Sequence, residues 1–414
     1  MRANLIAALV GVLCVAGCGG GGSSVGGGGN KPPSGANVQP ITVDSGPAAV
    51  ANSNNPAVNT LYTTVRLCIP GTSTCQDIDH IQVDTGSSGL RILSTALTLS
   101  LSLQKNSAGN VVAECVHFVD GSSWGPLRLA DIKIAGEVAS NQQVQIIGDS
   151  AYQTIPNACI GSGTAENTVA AFGANGILGV GPFVQDCGPS CEQAGGATYY
   201  TCTSSTACTD TAMPLAQQLT NPVTAFATDN NGVIIQLPVL SSTAATVSGS
   251  IIFGIGTQGN NGIGSAKVIL LDSVGALTTT YKTQTLGQSF IDSGSNAYYF
   301  PDSSIDLCAK GTHAPGFFCP PQTLNLSATI TGGNNVSSMV NFTVANADSL
   351  FNTTSTVAAA VTLAAPSTTV SADGSTFSGT DTFDWGLPFY FGRNVYTAIE
   401  NHNTSAGMGP YFAF

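Results

Sequence analysis

An all-β protein in two lobes is the fold class this sequence predicts, and three observations carry the expectation. The first is the residue mix: 49 of 414 residues are glycine and only 8% are charged. So few charges cannot lace long surface helices with ion pairs, whereas abundant Gly, Ser, Thr and Val suit short strands joined by tight turns. The second is length, which exceeds what one hydrophobic core ordinarily organises. The third is an internal repeat. Val83-Asp84-Thr85-Gly86-Ser87-Ser88 and Ile291-Asp292-Ser293-Gly294-Ser295-Asn296 lie half the chain apart, and each sets one carboxylate in a hydrophobic-Asp-hydroxyl-Gly-hydroxyl frame. The expected division is a signal peptide at 1–17, a tether at 18–55, a first β lobe at 56–240 and a second at 241–414.

The N-terminus reads as an address. A basic start at Arg2 leads into an apolar run over residues 5–16 and then Val15-Ala16-Gly17-Cys18, which resembles a bacterial lipobox. That resemblance implies cleavage before Cys18 and its acylation. The run is too short to span a bilayer. Residues 19–36 are almost all Gly, Ser and Pro, with no core-forming pattern, and a flexible chain of that length reaches roughly 20–25 Å. The expectation is a monomer tethered to the cell envelope through lipid. Gly19, in place of an aspartate, points to the outer membrane.

Charge excludes other partners. With 23 acidic residues against 11 basic ones, and a pI near 4.4, the chain offers no electrostatic footprint for nucleic acid. Of twelve cysteines, Cys14 leaves with the signal and Cys18 takes lipid. The even remainder in an exported chain implies disulfides, paired by proximity as Cys68 with Cys75, Cys115 with Cys159, Cys187 with Cys191, Cys202 with Cys208 and Cys308 with Cys319. A metal reading of the Cys187 to Cys208 cluster is disfavoured, because its spacings are not C-x2-C. The four histidines stand apart without a second ligand nearby, so no metal and no cofactor is expected.

The repeat carries the chemistry. A strand that ends in Asp and turns through Gly can hydrogen-bond the carboxylate with backbone N–H groups and nearby hydroxyls, and so orient an acid. If a pseudo-twofold axis relates the halves, Asp84 and Asp292 meet, and like charges that close share a proton and can activate one water.

On these residues the sequence resembles the pepsin-like aspartic peptidases over most of its length. Asp84-Thr85-Gly86-Ser87-Ser88-Gly89-Leu90 looks like the family's first catalytic loop, and Asp292-Ser293-Gly294-Ser295 like its second. Phe118-Val119-Asp120-Gly121-Ser122-Ser123-Trp124-Gly125 sits where the family has its flap. Gly176-Ile177-Leu178-Gly179-Val180-Gly181 resembles the strand threaded behind the first loop, and Gly386 is the candidate second threading glycine. Residues 212–219 look like the following helix, 248–254 like the strand opening the second lobe, and 395–409 like the closing strands. The resemblance implies a bilobal fold with a cleft, catalysis by Asp84 and Asp292, and support from Gly86 and Gly294. It implies outer-oxygen hydrogen bonds from Ser87 and Ser295 and links between the loops by Thr85 and Ser293. It also implies a flap at which Phe118 covers a pocket and Gly121 and Ser122 touch the substrate backbone.

The sequence departs from that family at several points. Phe118 replaces the flap tyrosine and Arg91 the tryptophan that pairs with it. No Asp follows Gly386, no room is left for a basic prosegment, and residues 182–211, with four cysteines, form an insertion expected to be a pinned loop. Gly121-Ser122-Ser123-Trp124-Gly125 also matches the G-x-S-x-G nucleophile elbow, but residues 126–134 alternate like a strand where an elbow needs a helix. That match reads as a hairpin turn. The expected function is therefore an exported endopeptidase acting on extended polypeptides. The alternative is a surface protein that keeps the scaffold and binds peptide or protein without cutting it.

Overall fold

The computed structural model describes residues 34–118, 121–160, 164–352, 356–367 and 381–414. The expected signal peptide and the expected acylation site at Cys18 lie outside the described residues. The chain builds two β lobes that face each other across a cleft.

In the first lobe, Leu61–Cys68 and Cys75–Asp84 form a hairpin closed by the Cys68 to Cys75 disulfide. The second strand delivers Asp84 at its end, and the chain turns back as Ser88–Leu93. Gly176–Val180 threads between these two strands, parallel to the first and antiparallel to the second. The threading requires glycine: a Cβ at Gly179 would lie 2.7 Å from the Ser88 backbone nitrogen. The second lobe repeats the pattern in miniature. Gln284–Ile291 delivers Asp292, Asp384–Trp385 runs parallel to its end, and Tyr298–Tyr299 pairs with Asp384–Trp385 antiparallel. Gly386 takes the threading role, since a Cβ there would meet the Ala297 carbonyl oxygen at 2.2 Å. The core of this lobe is aromatic, with Trp385 stacked on Phe383 at 4.0 Å and Phe383 on Phe300 at 4.9 Å.

A sheet drawn from both halves of the chain joins the lobes. Val38–Val43 pairs with Val247–Phe253, then come Gly232–Gln236, Asn394–Ala398, Tyr411–Ala413 and Val268–Leu270. It meets the first lobe where Val43 pairs with Leu61, and the second where Gly333 N donates to Leu270 O at 2.9 Å. Two expectations change here. The stretch 18–55, expected to be a tether, belongs to the fold from Asn37 onward, because Ile41 and Val43 are core residues and Asn37 Nδ2 donates to Phe253 O at 2.8 Å. Pro40 interrupts the short apolar alternation of this strand, which is why it does not stand out. The lobe boundary at 240 falls inside this shared sheet, between two of its neighbouring strands.

Residues 212–219 do not form the expected helix. Pro214 and Gln218 are extended, leaving only the 3-10 turn Leu215–Gln217, and Gln218 Nε2 instead donates to Met213 O and Gly188 O. The five cysteine pairs all form disulfides as read from proximity. Gly121–Gly125 lies on the strand Gly121–Ile134 rather than in a turn, with no helix after it. Among the described residues no helix is long and apolar enough to cross a membrane.

Candidate active site

The two Asp loops meet at the floor of a cleft of about 1260 Å³ lined by both lobes. Each loop's glycine lies against the other loop's carboxyl: a Cβ at Gly86 would be 2.8 Å from Asp292 Cγ, and one at Gly294 2.5 Å from Asp84 Oδ1. Only residues without side chains permit that approach. Gly86 N donates to Asp84 Oδ1 and Gly294 N to Asp292 Oδ1, both at 2.7 Å. The other oxygen of each carboxyl takes a hydroxyl. Ser87 donates to Asp84 Oδ2, and Ser295 to Asp292 Oδ2 at 2.9 Å. The cradle is thus the same on both sides.

Reciprocal bonds lock the loops together. Thr85 N donates to Ser293 Oγ at 3.1 Å and Ser293 N to Thr85 Oγ1 at 3.0 Å. Each hydroxyl then donates back to the strand before the opposite aspartate, Ser293 to Val83 O at 2.9 Å and Thr85 to Ile291 O at 3.2 Å. Tyr390, absent from the sequence reading, adds its phenol to Thr85 Oγ1 at 2.8 Å. Thr85 and Ser293 are fully buried, so these bonds lie out of water's reach and fix the carboxyls' separation.

Burial first, then the charges of Asp84 and Asp384, hold the Asp292 carboxyl well above the ordinary range. A hydrogen bond from the Asp84 side raises it further. Asp384 is a third carboxyl that sequence reasoning missed. It lines the cleft from the threaded strand of the second lobe, burial pushes it well above the usual range, and the Ser295 hydroxyl reaches it too. Its place two residues before Gly386 was the available signal.

The flap is held from both sides. Val111–His117 pairs with Gly121–Ile134 on one edge and with Tyr199–Ser204, from the cysteine-rich insertion, on the other. The Cys115 to Cys159 disulfide pins it further. Phe118 lines the cleft, edge-on to Phe172 at 5.8 Å. Gly121 and Ser122 do not reach it: they are buried in strand pairing with 164–165, and Ser122 O accepts from Glu166 N at 2.8 Å. Their backbone groups are committed to the sheet behind the flap. Val119 and Asp120 lie outside the described residues.

Arg91 does more than vacate the tryptophan's place. It is fully buried and donates to Ser88 O at 2.9 Å and to Glu114 Oε1, on the flap strand, at 2.6 Å. It also reaches Asp186 Oδ2 of the insertion at 3.3 Å. Tyr199 donates to Asp186 Oδ1 at 2.6 Å and accepts from Leu219 N at 2.7 Å. Burial and the neighbouring Glu114 charge, only partly offset by Arg91, hold Asp186 well above the usual carboxylate range. A charged network therefore ties the chain just after the first Asp loop, the strand Val111–His117 and the insertion together. The insertion's four cysteines are all consumed in disulfides.

Residues 33–414 match the model of a family described as "Protein of unknown function (DUF3443)". No curated protein matches the sequence. Among solved structures, the aspartic proteinase from Irpex lacteus is similar at 14% identity and a TM-score of 0.49, with 87% of this chain and 93% of that chain covered.

Proposed function

We propose that this chain, which belongs to the DUF3443 family, is an aspartic endopeptidase that hydrolyses extended polypeptides through Asp84 and Asp292. The observation that carries the reading is the pair of symmetrically cradled carboxyls, each touching the other loop's glycine at the floor of a shared cleft. The cleft exceeds the ~300–1,000 Å³ of a small-molecule pocket and is open to both lobes, which suits a chain in extended form. The ionised carboxyl takes a proton from water as that water attacks the scissile carbonyl. The protonated partner gives its proton to the carbonyl oxygen, and collapse returns a proton to the leaving amine. Water adds across the amide, no covalent intermediate forms, and no cofactor is required.

Ser87 and Ser295 hold the outer oxygens, Gly86 and Gly294 the inner ones, and Thr85 with Ser293 keeps the pair in register. Phe118 covers bound substrate by apolar contact, since it has no hydroxyl to donate. Because Asp292 is held high, the singly protonated state persists further toward neutrality than an exposed pair would allow. Activity should fall as pH rises through that raised value. We place the enzyme as a monomer in the cell envelope, tethered through acylated Cys18, on the strength of the lipobox-like N-terminus; loss of lipid labelling in Cys18→Ala would support this.

The test is hydrolysis of a denatured protein from acidic to neutral pH by the wild type, Asp84→Asn and Asp292→Asn, each shown folded by circular dichroism. Both variants should lose about 10²–10⁴-fold in rate. Hydrolysis persisting in either, or absent from folded wild type, would refute the reading.

A further inference from the structure

The two loops at the cleft floor match bond for bond except at one place. Thr85 and Ser293 each accept from the other's backbone N–H and donate to the strand before the other's aspartate. Among the described residues only Thr85 has a further partner, the phenol of Tyr390 at 2.8 Å. Donor counting gives this bond its direction. A hydroxyl has one proton and two lone pairs. Thr85 places its proton on Ile291 O and one lone pair on Ser293 N–H, which leaves one lone pair. Tyr390 is fully buried, and its proton has no other acceptor among the described residues. The phenol therefore donates and Thr85 accepts, because the reverse would strand a buried phenol proton.

The phenol is delivered from the second lobe. Tyr390 ends the 3-10 turn Leu387–Tyr390, which follows the threading residue Gly386. Leu387 N donates to Ser295 O at 2.7 Å, Phe389 N to Gly386 O at 2.9 Å and Arg393 N to Tyr390 O at 3.1 Å. The Phe389 ring packs edge-on to Trp385 and to Phe414. Tyr390 is thus a fixed arm from the threaded segment of one lobe to the Asp loop of the other. Four residues after Gly179, its own threading glycine, the first lobe has Phe183, which has no hydroxyl to offer. Burial pushes the Tyr390 phenol well above its usual range; the Thr85 bond offsets part of this, and the charges of Asp292, Asp84 and Asp384 add to it. The phenol therefore keeps its proton, and stays a donor, wherever the carboxyls titrate.

We infer that Tyr390 is a positioning residue for the carboxyl pair: by donating to Thr85 it holds the Asp84 loop against the Asp292 loop. The consequence for catalysis rests on the endopeptidase reading, and the consequence for the carboxyls does not. The titratable groups facing Asp292 among the described residues are Asp84 from the first loop, Asp384 from the threaded strand and Tyr390 from the turn after it. Burial, then the Asp84 and Asp384 charges, hold Asp292 high. Without the phenol, Thr85 keeps an unmet lone pair, the reciprocal bonds slacken and the carboxyls separate. Separation weakens the like-charge contact and admits water, and both changes lower the raised value of Asp292.

The test compares wild type with Tyr390→Phe, which keeps the ring and removes the hydroxyl, each shown folded by thermal unfolding. Carboxyl-carbon NMR follows the aspartates from acidic to neutral pH. The highest-titrating aspartate of the wild type should titrate about half a unit or more lower in Tyr390→Phe. On a denatured-protein substrate, kcat should fall roughly tenfold with KM little changed, and the pH at which activity is lost should move down with the titration. A role in stability alone would lower the unfolding temperature and leave the titration and the pH profile where they are, and that result would overturn the inference. The wild type offers a check that needs no variant: the Tyr390 hydroxyl proton should appear as a slowly exchanging resonance close to the Thr85 methyl, and fast exchange with water would overturn the donation. If the wild type hydrolyses nothing, the NMR titration still decides. A lowered titration in Tyr390→Phe would uphold the positioning role while the endopeptidase reading falls, and an unchanged one would overturn the positioning role by itself.

Discussion

Replacing Arg91 with leucine tests whether the buried network is what holds the strand Val111–His117 to the first Asp loop. Arg91 is the cation facing two carboxyls, Glu114 and Asp186, and all three are almost completely buried. Burial and the Glu114 charge already hold Asp186 well above the usual carboxylate range. Without the guanidinium, the second carboxyl must also be neutral or stay charged in an apolar setting. Taking up a proton at pH 7 costs about 4 kcal/mol, at ~1.36 kcal/mol per unit over the roughly three units above an unfolded carboxyl's pKa. The sign follows from linkage: the variant's folded state binds an extra proton that the unfolded chain does not hold, so its stability falls as pH rises from about 4 to 7. Lost hydrogen bonds add a pH-independent penalty of about 1–3 kcal/mol. Urea unfolding of wild type and Arg91→Leu at pH 4.5 and 7.5 measures both parts. The difference between the two proteins should be several kcal/mol at the higher pH and much smaller at the lower. An equal difference at both pH values would show that the guanidinium acts by packing and not as counter-charge, which would refute the reasoning.

Other outcomes follow from the same geometry. Ser293→Ala leaves Thr85 N–H and Val83 C=O without their partner in a buried place, and should destabilise by about 2–5 kcal/mol in denaturant unfolding, with a fall in kcat larger than any change in KM. The wild type should gain stability as pH falls from neutral toward about 4, since Asp292, Asp384 and Asp186 are all raised in the folded state and His80 is raised by Asp44. It should lose stability again below about 3, where Asp302, held at about 2 by Lys282 and by hydroxyl bonds, takes up its proton. A melting temperature that rises steadily from pH 4 to 8 would contradict this. Gly386→Ala should fail to fold or unfold at much lower denaturant than wild type, because its Cβ would strike the Ala297 carbonyl; native-like stability would refute the close approach.

The meeting of Asp84 and Asp292 was legible because its signal is local and doubled. Asp84-Thr85-Gly86-Ser87 and Asp292-Ser293-Gly294-Ser295 contain every atom that cradles their own carboxyls, so short spacing in sequence is short distance in space. The disulfides were legible from the order of the cysteines, each pairing with its neighbour in sequence, although Cys115 and Cys159 lie 44 residues apart. What was not legible depends on distant pairing. Arg91 stood out as a departure, but its partners lie on the flap strand and in the insertion, and no pattern in the chain connects them. Gly121 and Ser122 were placed at the substrate by position in the motif, yet 164–165 pairs with them and turns their backbone inward. The strand Val38–Val43 hid beside a glycine-rich run because its partner, Val247–Phe253, is two hundred residues away, roughly.

The two threaded strands show where the lobes' symmetry ends and what that asymmetry does. Behind the first loop the threading segment is Gly176–Val180, wholly apolar and buried. Behind the second it is Asp384–Trp385, with an acid at the position that faces the cleft. Threading itself asks only for backbone pairing and a glycine, which Gly386 supplies, so nothing in the fold requires a carboxyl there. Placed beside Asp84 and Asp292, that carboxyl weakens the folded state through burial and like charge. Asp384→Asn keeps the shape and removes both penalties, so it should unfold at higher temperature than wild type near neutral pH, and the two should converge as acid neutralises Asp384. A gain that persists unchanged into acid would mean that packing, not charge, sets the difference, and would refute the penalty assigned to the buried carboxyl.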